Sequence, residues 1–247
     1  VKQAYKIIRG KSRSDWPMYA IKQMDVSHYD LAKREERVML DMLLERGRGS
    51  TEEEEDRRDK EGRQRKRRQP PLPLPPPPHP GLVRLMSPVF QSRRTVNLAM
   101  EYVNGSDLHS RVVYSTKRFP SRSVSFLTME ILSGLNWIHE RGYVFSDLKP
   151  ENILISADQR LKLCDFGAAR REDVTERGQA LEGTPMYMSP ELLQGDGVLT
   201  KAADMWSLGC VVHFMLSGRA PAGLGPSLDI DQVSTRVVRW AATAGDG

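Results

Sequence analysis

The sequence has few cysteines, few aromatic residues and no long apolar run. Cys164 and Cys210 are the only cysteines among 247 residues, which excludes a disulfide framework and favours a reducing, intracellular setting. Aromatic residues make up only 7% of the chain, but its 39% of hydrophobic residues can still build a globular core. The longest apolar stretch, Ser207–Leu216, is interrupted by His213 and falls well short of the roughly 20 residues of a membrane-spanning helix. We therefore expect no membrane span.

The N-terminus also lacks the charged and apolar leader of a secreted protein. We expect a cytoplasmic protein, with the nucleus as the alternative. Because the chain begins with Val1 rather than Met, a fragment or a processed product is expected.

The positive net charge of +5 is unevenly distributed. Much of the charge lies in residues 45–68, where an acidic block precedes a basic one, and eight of the 16 prolines lie in residues 70–80. Such a composition buries too little apolar surface to offset chain entropy, so a disordered insertion is predicted at 47–78. Two functional interpretations of it stay open. Residues 70–80 are a candidate ligand for proline-binding domains, and the basic run at 63–68 is a candidate nuclear-import or nucleic-acid patch.

Around this insertion, hydrophobic periodicity predicts a strand-rich part followed by a helical part. Apolar residues recur three and four positions apart between Ser121 and Arg141, which is typical of a long amphipathic helix. The other predicted elements are strands at Tyr5–Ile8, Met18–Met24, Leu82–Phe90 and Thr95–Tyr102 and a helix at Leu31–Leu44.

Three motifs in the helical part carry chemistry: Asp147-Leu148-Lys149-Pro150-Glu151-Asn152, Asp165-Phe166-Gly167, and Gly183-Thr184-Pro185-Met186-Tyr187-Met188-Ser189-Pro190-Glu191. Together they resemble the eukaryotic protein kinase family of the serine/threonine type. The motif sequences are most similar to those of its AGC group, particularly the phosphoinositide-dependent branch. The resemblance implies an α+β fold with two lobes. An antiparallel-sheet N-lobe is expected at 1–103, a mainly helical C-lobe at 104–218, and an unassigned tail at 219–247.

The resemblance also implies roles for the motif residues. Asp147 would orient the substrate hydroxyl, Lys149 would contact the transferred phosphoryl group, and Thr184 would bond the catalytic aspartate. Asn152 and Asp165 would hold Mg²⁺ with hard oxygen ligands, and ATP would be the phosphoryl donor. Asp204, further along the chain, would tie down the backbone of the catalytic loop.

In the N-lobe, Lys22 resembles the strand lysine that binds the α and β phosphates. A helix glutamate should hold this lysine. Glu36 is predicted for that role because apolar residues follow it three, four and seven positions on. Glu35 has a nearly equal pattern and stays as the alternative.

Four residues between the lobes would bind the rest of the nucleotide. Met100 falls at the gatekeeper position, while Glu101 and Val103 would present backbone groups to the adenine. Asp107 would bond the ribose. A buried strand followed by a helix N-cap explains the same four residues without a ligand.

Several departures from the family pattern are visible. The residues that open the chain align just after the glycine-rich loop, so the first strand and that loop are missing, which should weaken ATP binding. Ser146 replaces an arginine that would pair with a phosphorylated loop, and Ala180 stands at the usual phosphoacceptor position. We therefore expect no phosphorylation switch at 180, with Thr175 as a weaker acceptor.

The resemblance fades after Gly218, so the last helices of the C-lobe are expected to be missing. The helix around Val211 should then face water, which would lower stability.

The sequence thus predicts a serine/threonine protein kinase that uses ATP and Mg²⁺ and acts on protein substrates. The alternative is a pseudokinase or an inactive fragment that serves as a binding scaffold, and the missing glycine-rich loop favours inertness of this chain. A nucleic-acid-binding module built on residues 63–68 is a third interpretation. We do not expect it, because much of the net charge is confined to this local block.

Overall fold

The computed structural model describes both predicted parts of the chain. The described residues are 4–8, 18–43, 79–115, 119–172, 183–195, 198–224 and 228–244. The predicted insertion at 47–78, together with Thr175 and Ala180, lies outside these ranges, so these hypotheses stay predictions.

The first part is an antiparallel sheet of β1 (Ala4–Ile8), β2 (Tyr19–Asp25), β3 (Leu85–Gln91) and β4 (Thr95–Glu101). The strand order is β1-β2-β4-β3, which places β2 inside the sheet and β3 at its edge. Pro88 lies in this edge strand, where a residue without a backbone N–H is tolerated.

The third strand starts later than the sequence predicted, because Leu82 and Val83 bond to the second part of the chain instead. Val83 N–H donates to the carbonyl of Leu163 at 2.9 Å, and Leu163 N–H donates to the carbonyl of Gly81 at 2.8 Å. This pairing joins the two parts behind the cleft.

Helix α1 (Tyr29–Asp41) packs on the sheet and ends three residues before the predicted end. Its buried face carries Ala32, Val38 and Met39 and also the two glutamates Glu35 and Glu36. Two buried carboxylates on one helix require partners from neighbouring elements, since an unpaired buried charge is costly.

The second part is mainly helical. Its helices are α2 (Leu108–Val113), α3 (Ser121–Glu140), α4 (Pro190–Leu193), α5 (Lys201–Ser217) and α6 (Ile230–Ala244). Its short strands are β5 (Gly105–Asp107), β6 (Tyr143–Val144), β7 (Ile153–Ser156), β8 (Leu161–Leu163) and β9 (Arg170–Arg171). They form a β5-β7-β8 sheet and a β6-β9 pair, and each short strand borders a loop of the cleft.

The core of this part lies between α3 and α5. The buried residues of α3 recur at the predicted spacing, whereas α5 buries residues around most of its circumference. No helix in the described ranges is both long enough and apolar enough to cross a bilayer.

The expectation that α5 faces water around Val211 is wrong. Val211 is fully buried in the main core. Helix α6 packs nearby with Val233 and Val237 buried, and Trp240 meets Trp206 of α5 edge to face at 5.6 Å. Residues 230–244 thus form a packed helix, although the sequence assigned no element to 219–247.

Candidate active site

A buried carboxylate on α5 holds the loop between β6 and β7. The carboxylate of Asp204 accepts hydrogen bonds from the backbone N–H groups of Phe145 and Ser146, both at 2.8 Å. It also lies 2.7 Å from Nε2 of His139. Ser146 adopts a left-handed conformation with φ 72°, which these bonds hold in place. The loop backbone is therefore fixed immediately before Asp147, as the resemblance implied for Asp204.

Asp147 lies at the centre of a hydrogen-bonded group. Its Oδ1 accepts from the backbone N–H and the hydroxyl of Thr184, both at 3.0 Å, and its Oδ2 accepts from Nζ of Lys149 at 2.7 Å. Lys149 Nζ also donates to Oγ1 of Thr184 at 2.7 Å. The structure thus brings the three predicted residues into direct contact and fixes the orientation of the Asp147 carboxylate.

Asn152 completes this loop. Its side-chain nitrogen donates to the backbone carbonyl of Asp147 at 2.8 Å and to Oδ2 of Asp147 at 3.0 Å. These bonds leave its amide oxygen as the group that could bind a cation. The carbonyl of Asn152 accepts from Cys164 N–H at 3.0 Å, which brings Asp165 beside it.

Asn152 and Asp165 could hold Mg²⁺. Both line the same cleft, and they supply an amide oxygen and a carboxylate, the hard oxygen ligands that Mg²⁺ prefers. Asp165 is itself held in a left-handed conformation with φ 65°, so its side chain is placed by backbone geometry. The donor set therefore fits the predicted metal, whose remaining ligands would be waters and phosphate oxygens.

Lys22 on β2 lies opposite this loop. It is fully buried, with 0% of its surface exposed. Its Nζ is 2.7 Å from Oε2 of Glu35 and 2.6 Å from Oδ1 of Asp165. A lysine that is removed from water in this way needs partners of opposite charge, and here it has two.

Glu35, and not the predicted Glu36, pairs with Lys22. Glu36 points toward the sheet edge, where it accepts from the backbone N–H of Val89 at 2.6 Å and pairs with Lys33. Consecutive helix residues are about 100° apart around the axis, so only one of the two can face β2. The hydrophobic spacing in α1 left both glutamates open, because both lie on its buried face.

Burial and charge shift the pKa values in this ionic cluster. Burial by itself lowers the pKa of Lys22, but the carboxylates of Glu35 and Asp165 together outweigh it, so the pKa is raised. Burial raises the pKa of Glu35, with Lys22 opposing this shift and Asp165 adding to it. The two directions are compatible, because Lys22 has a second carboxylate that keeps it charged when Glu35 binds a proton.

The cleft between the two parts has a volume of about 670 Å³, which lies within the range of small-ligand sites. Its lining residues are Ala20, Val83, Met100, Glu101, Tyr102, Val103, Asp107, Lys149, Glu151, Asn152, Leu154, Cys164, Asp165 and Thr184. Apolar side chains line one end of the cleft, and the charged loop residues line the other end. A ligand with a flat apolar ring and a polar, charged tail suits such a cleft.

The predicted base-binding residues line this cleft, but they differ in what they can offer. The Glu101 carboxylate is bound by Arg84 at 2.6 Å and Lys162 at 2.7 Å, and its N–H donates to the Arg84 carbonyl at 2.9 Å. Only the Glu101 carbonyl is left for a ligand. No backbone bond within the described residues engages Val103 N–H, so this donor is available.

Asp107 lies at the cleft and also caps α2. Its Oδ1 accepts from Ser110 N–H at 2.7 Å, and its Oδ2 accepts from the Ser110 hydroxyl at 2.8 Å. The structure thus shows the helix cap, while the ribose contact of Asp107 stays a prediction.

Sequence reasoning missed several lining residues. Val83 and Leu154 are ordinary apolar residues of the alternating pattern, so nothing in the sequence marks them as cleft residues. Cys164 directly precedes Asp165, and burial raises the pKa of its thiol, which makes it a poor nucleophile. The separation of Ala20 from Lys22 by two positions was a usable signal, because residues two apart share one face of a strand.

Comparisons with known proteins agree with this geometry. A family described as the protein kinase domain matches residues 74–239. The cAMP-dependent protein kinase catalytic subunit PRKX of Homo sapiens is 39% identical over 143 residues, which cover 58% of this chain and 38% of that protein. Serine/threonine-protein kinase AtPK1/AtPK6 of Arabidopsis thaliana is 37% identical over 143 residues, covering 58% of this chain and 30% of that protein.

A third relative is serine/threonine-protein kinase RUNKEL of Arabidopsis thaliana, which is 34% identical over 145 residues. That match covers 58% of this chain and 10% of the relative. This chain therefore spans well under half the length of each of these three relatives.

Proposed function

This chain belongs to the protein kinase family, and we propose that it transfers the γ-phosphoryl group of ATP to serine or threonine hydroxyls of protein substrates, with Mg²⁺. One observation carries the proposal. Three separate segments of the sequence, carrying Lys22, the Asp147–Asn152 loop and Asp165, meet at one end of the cleft: Lys22 bonds to Asp165, Asn152 bonds to Asp147, and Asn152 and Asp165 line the cleft.

The apolar end of the cleft suits the adenine ring. The carbonyl of Glu101 and the N–H of Val103 supply an acceptor and a donor at its edge, and Asp107 lies where the ribose would pass. Lys22 would bind the phosphates with a charge that its two carboxylate partners keep in place. When bound at Asn152 and Asp165, Mg²⁺ would neutralise part of the phosphate charge.

Asp147 would orient the substrate hydroxyl. Thr184 and Lys149 restrict its carboxylate, so little reorganisation is needed when a hydroxyl enters. Lys149 also places a positive charge beside this carboxylate, where it would contact the transferred phosphoryl group.

Two observations favour serine and threonine as acceptors. Lys149 and Thr184 are the residues that the family resemblance associates with this specificity, and they lie in direct contact. All three relatives described above also carry kinase names, and two are named serine/threonine-protein kinases.

A phosphotransfer assay on the chain tests the proposal. Radiolabelled ATP and Mg²⁺ are incubated with a degenerate library of serine, threonine and tyrosine peptides, and the phosphorylated amino acid is identified. We expect phosphoserine and phosphothreonine, and Asp147→Asn should lower the rate by about 10²- to 10⁴-fold. Asp231→Asn, an exposed change in α6, is the matched control and should leave the rate unchanged.

Three outcomes would contradict the proposal. Phosphotransfer that Asp147→Asn leaves intact would remove this residue from the mechanism. Phosphotyrosine as the main product would overturn the acceptor specificity. Saturable ATP binding without any phosphotransfer would instead support the scaffold alternative.

A further inference from the structure

The side chain of Tyr143 connects two elements that flank the active site. Its hydroxyl donates to Oδ2 of Asp41 at 2.5 Å, and Asp41 is the last residue of α1. On its other side, the guanidinium carbon of Arg171 in β9 lies 5.5 Å from the ring centroid. Tyr143 is 4% exposed, whereas Asp41 is half-buried and Arg171 is exposed, so its hydrogen bond to Asp41 is partly buried.

Backbone pairing reinforces the contact with β9. Tyr143 stands opposite Arg171 in the β6-β9 pair, and Glu172 N–H donates to the carbonyl of Gly142 at 3.0 Å. Glu172 is in turn paired with Lys201 of α5 at 2.8 Å. Arg171 and Glu172 are thus fixed to the helical second part of the chain at the point where β9 meets Tyr143.

These contacts link the same two segments that also meet in the ionic cluster of Lys22, Glu35 and Asp165. Helix α1 carries Glu35 six residues before Asp41, and β9 ends six residues after Asp165. Glu35 and Asp165 meet at Lys22, while Asp41 and Arg171 meet at Tyr143. A shift of α1 relative to β9 would therefore strain both meeting points.

Helix α1 also has a side-chain contact with the loop that precedes β9. Arg34 of α1 reaches the carbonyl of Gly167 at only 3.4 Å, near the limit of a hydrogen bond. The Tyr143–Asp41 bond is short, partly buried and made to a carboxylate, which is the stronger kind of hydrogen bond.

We propose that Tyr143 is a positioning residue for phosphotransfer, which fixes α1 to β9 and thereby holds Glu35 and Asp165 together on Lys22. This role rests on the proposed kinase function. Burial, followed by the hydrogen bond to Asp41, raises the pKa of Tyr143 to about 12, so its hydroxyl remains a donor at neutral pH.

The first test is Tyr143→Phe, which removes the hydroxyl and keeps the ring. We expect kcat per nucleotide-binding site to fall about three- to tenfold, with the KM for peptide unchanged. Hydrogen exchange should accelerate in the last turns of α1 and in β9 but not in α5. Tyr114→Phe, at a tyrosine that is 83% exposed, is the matched control and should change neither quantity.

Variants at Asp41 test the pairing itself. Asp41→Leu should reproduce the loss in kcat, and the double variant with Tyr143→Phe should lose no more than either single variant. Asp41→Asn keeps an acceptor oxygen and should restore most of the activity. A general loss of stability would not give this pattern.

Two results would overturn the proposal: unchanged kcat and exchange in Tyr143→Phe, or losses that add in the double variant. An inactive wild-type chain would refute the proposed kinase function separately. The exchange comparison needs no catalysis, so it would still decide whether Tyr143 holds α1 to β9.

Discussion

The catalytic loop and the Lys22 cluster reach a defined geometry in different ways. Asp147, Lys149 and Asn152 lie within six consecutive residues, and their mutual contacts follow from one loop conformation. Lys22, by contrast, pairs with partners 13 and 143 residues away, on a helix and on a distant loop. The sequence motif itself determines the geometry of the loop, whereas the Lys22 cluster forms only when β2, α1 and the loop that carries Asp165 pack together.

The difference suggests where control over activity resides. The loop is anchored by a buried carboxylate and several short bonds, so it has few ways to move. The Lys22 cluster depends on the position of α1, because Glu35 lies on that helix. Substitutions in the Lys22 cluster should therefore lower activity more than they lower the stability of the helical second part of the chain.

The largest expected effect comes from exchanging the two adjacent glutamates of α1. Glu35→Gln removes one of the two charges that hold Lys22 and should lower phosphotransfer by about 10- to 100-fold, because small displacements of catalytic groups are costly. Glu36→Gln retains an oxygen for Val89 N–H and should lower it less than about threefold. Steady-state kinetics of both variants, each normalised to ATP-binding sites, measures the contrast. Equal losses in both would contradict the assignment of Glu35.

The next effect is a pH dependence of stability and activity that arises from the Glu35–Lys22 ion pair. The pKa of Glu35 is raised in the folded protein, so the folded state takes up this proton at a higher pH than the unfolded state. The contribution of Glu35 to the free energy of unfolding is then fully present below the unfolded pKa and is lost as the pH rises through the folded pKa. Activity should change in the opposite direction, because protonated Glu35 no longer pairs with Lys22.

Urea unfolding and phosphotransfer, both measured from pH 4.5 to 7.5, check this prediction. Relative to Glu35→Gln, the wild type should lose stability and gain activity as the pH rises. Parallel pH profiles for the two proteins would show that Glu35 does not titrate in this window.

The smallest effect separates the two roles of Asp107. Asp107→Ala removes the cap of α2 and should lower the free energy of unfolding by about 1 kcal/mol. Asp107→Asn keeps a capping oxygen and should leave stability nearly unchanged. If the carboxylate also binds the ribose, both variants should raise the KM for ATP about two- to fivefold. A rise in the alanine variant alone would assign Asp107 to the cap only.

Much of the fold was predictable from hydrophobic periodicity. The buried positions of α3 were readable because this helix has one face toward the core, whereas β4 is buried at five consecutive positions and shows no alternation. Helix α6 was not predicted, because the family resemblance fades after Gly218. Its buried valines, Val233 and Val237, are four residues apart, which was a usable helical signal.

The site was predictable to the extent that it is local. Asn152, Asp165 and Thr184 followed from the motifs and line one cleft, where Asn152 and Thr184 bond to the predicted Asp147. The prediction that Glu36 is the partner of Lys22 is wrong, and no sequence signal indicates the contact of Tyr143 with Asp41. Both depend on the rotation of α1 against its neighbours, which no periodicity within α1 determines.

The sequence by itself determined the loop chemistry, because the residues of the Asp147 motif are close enough along the chain for one backbone conformation to place them. Only the tertiary structure decided which carboxylate of α1 faces Lys22 and that Tyr143 contacts Asp41 at the C-terminal end of this helix. A helix rotation of about 100° would exchange Glu35 for Glu36 while leaving the apolar pattern satisfied. That choice is made by the packing of α1 against β2, β3 and Tyr143, where a buried charge without its partner would be too costly to tolerate.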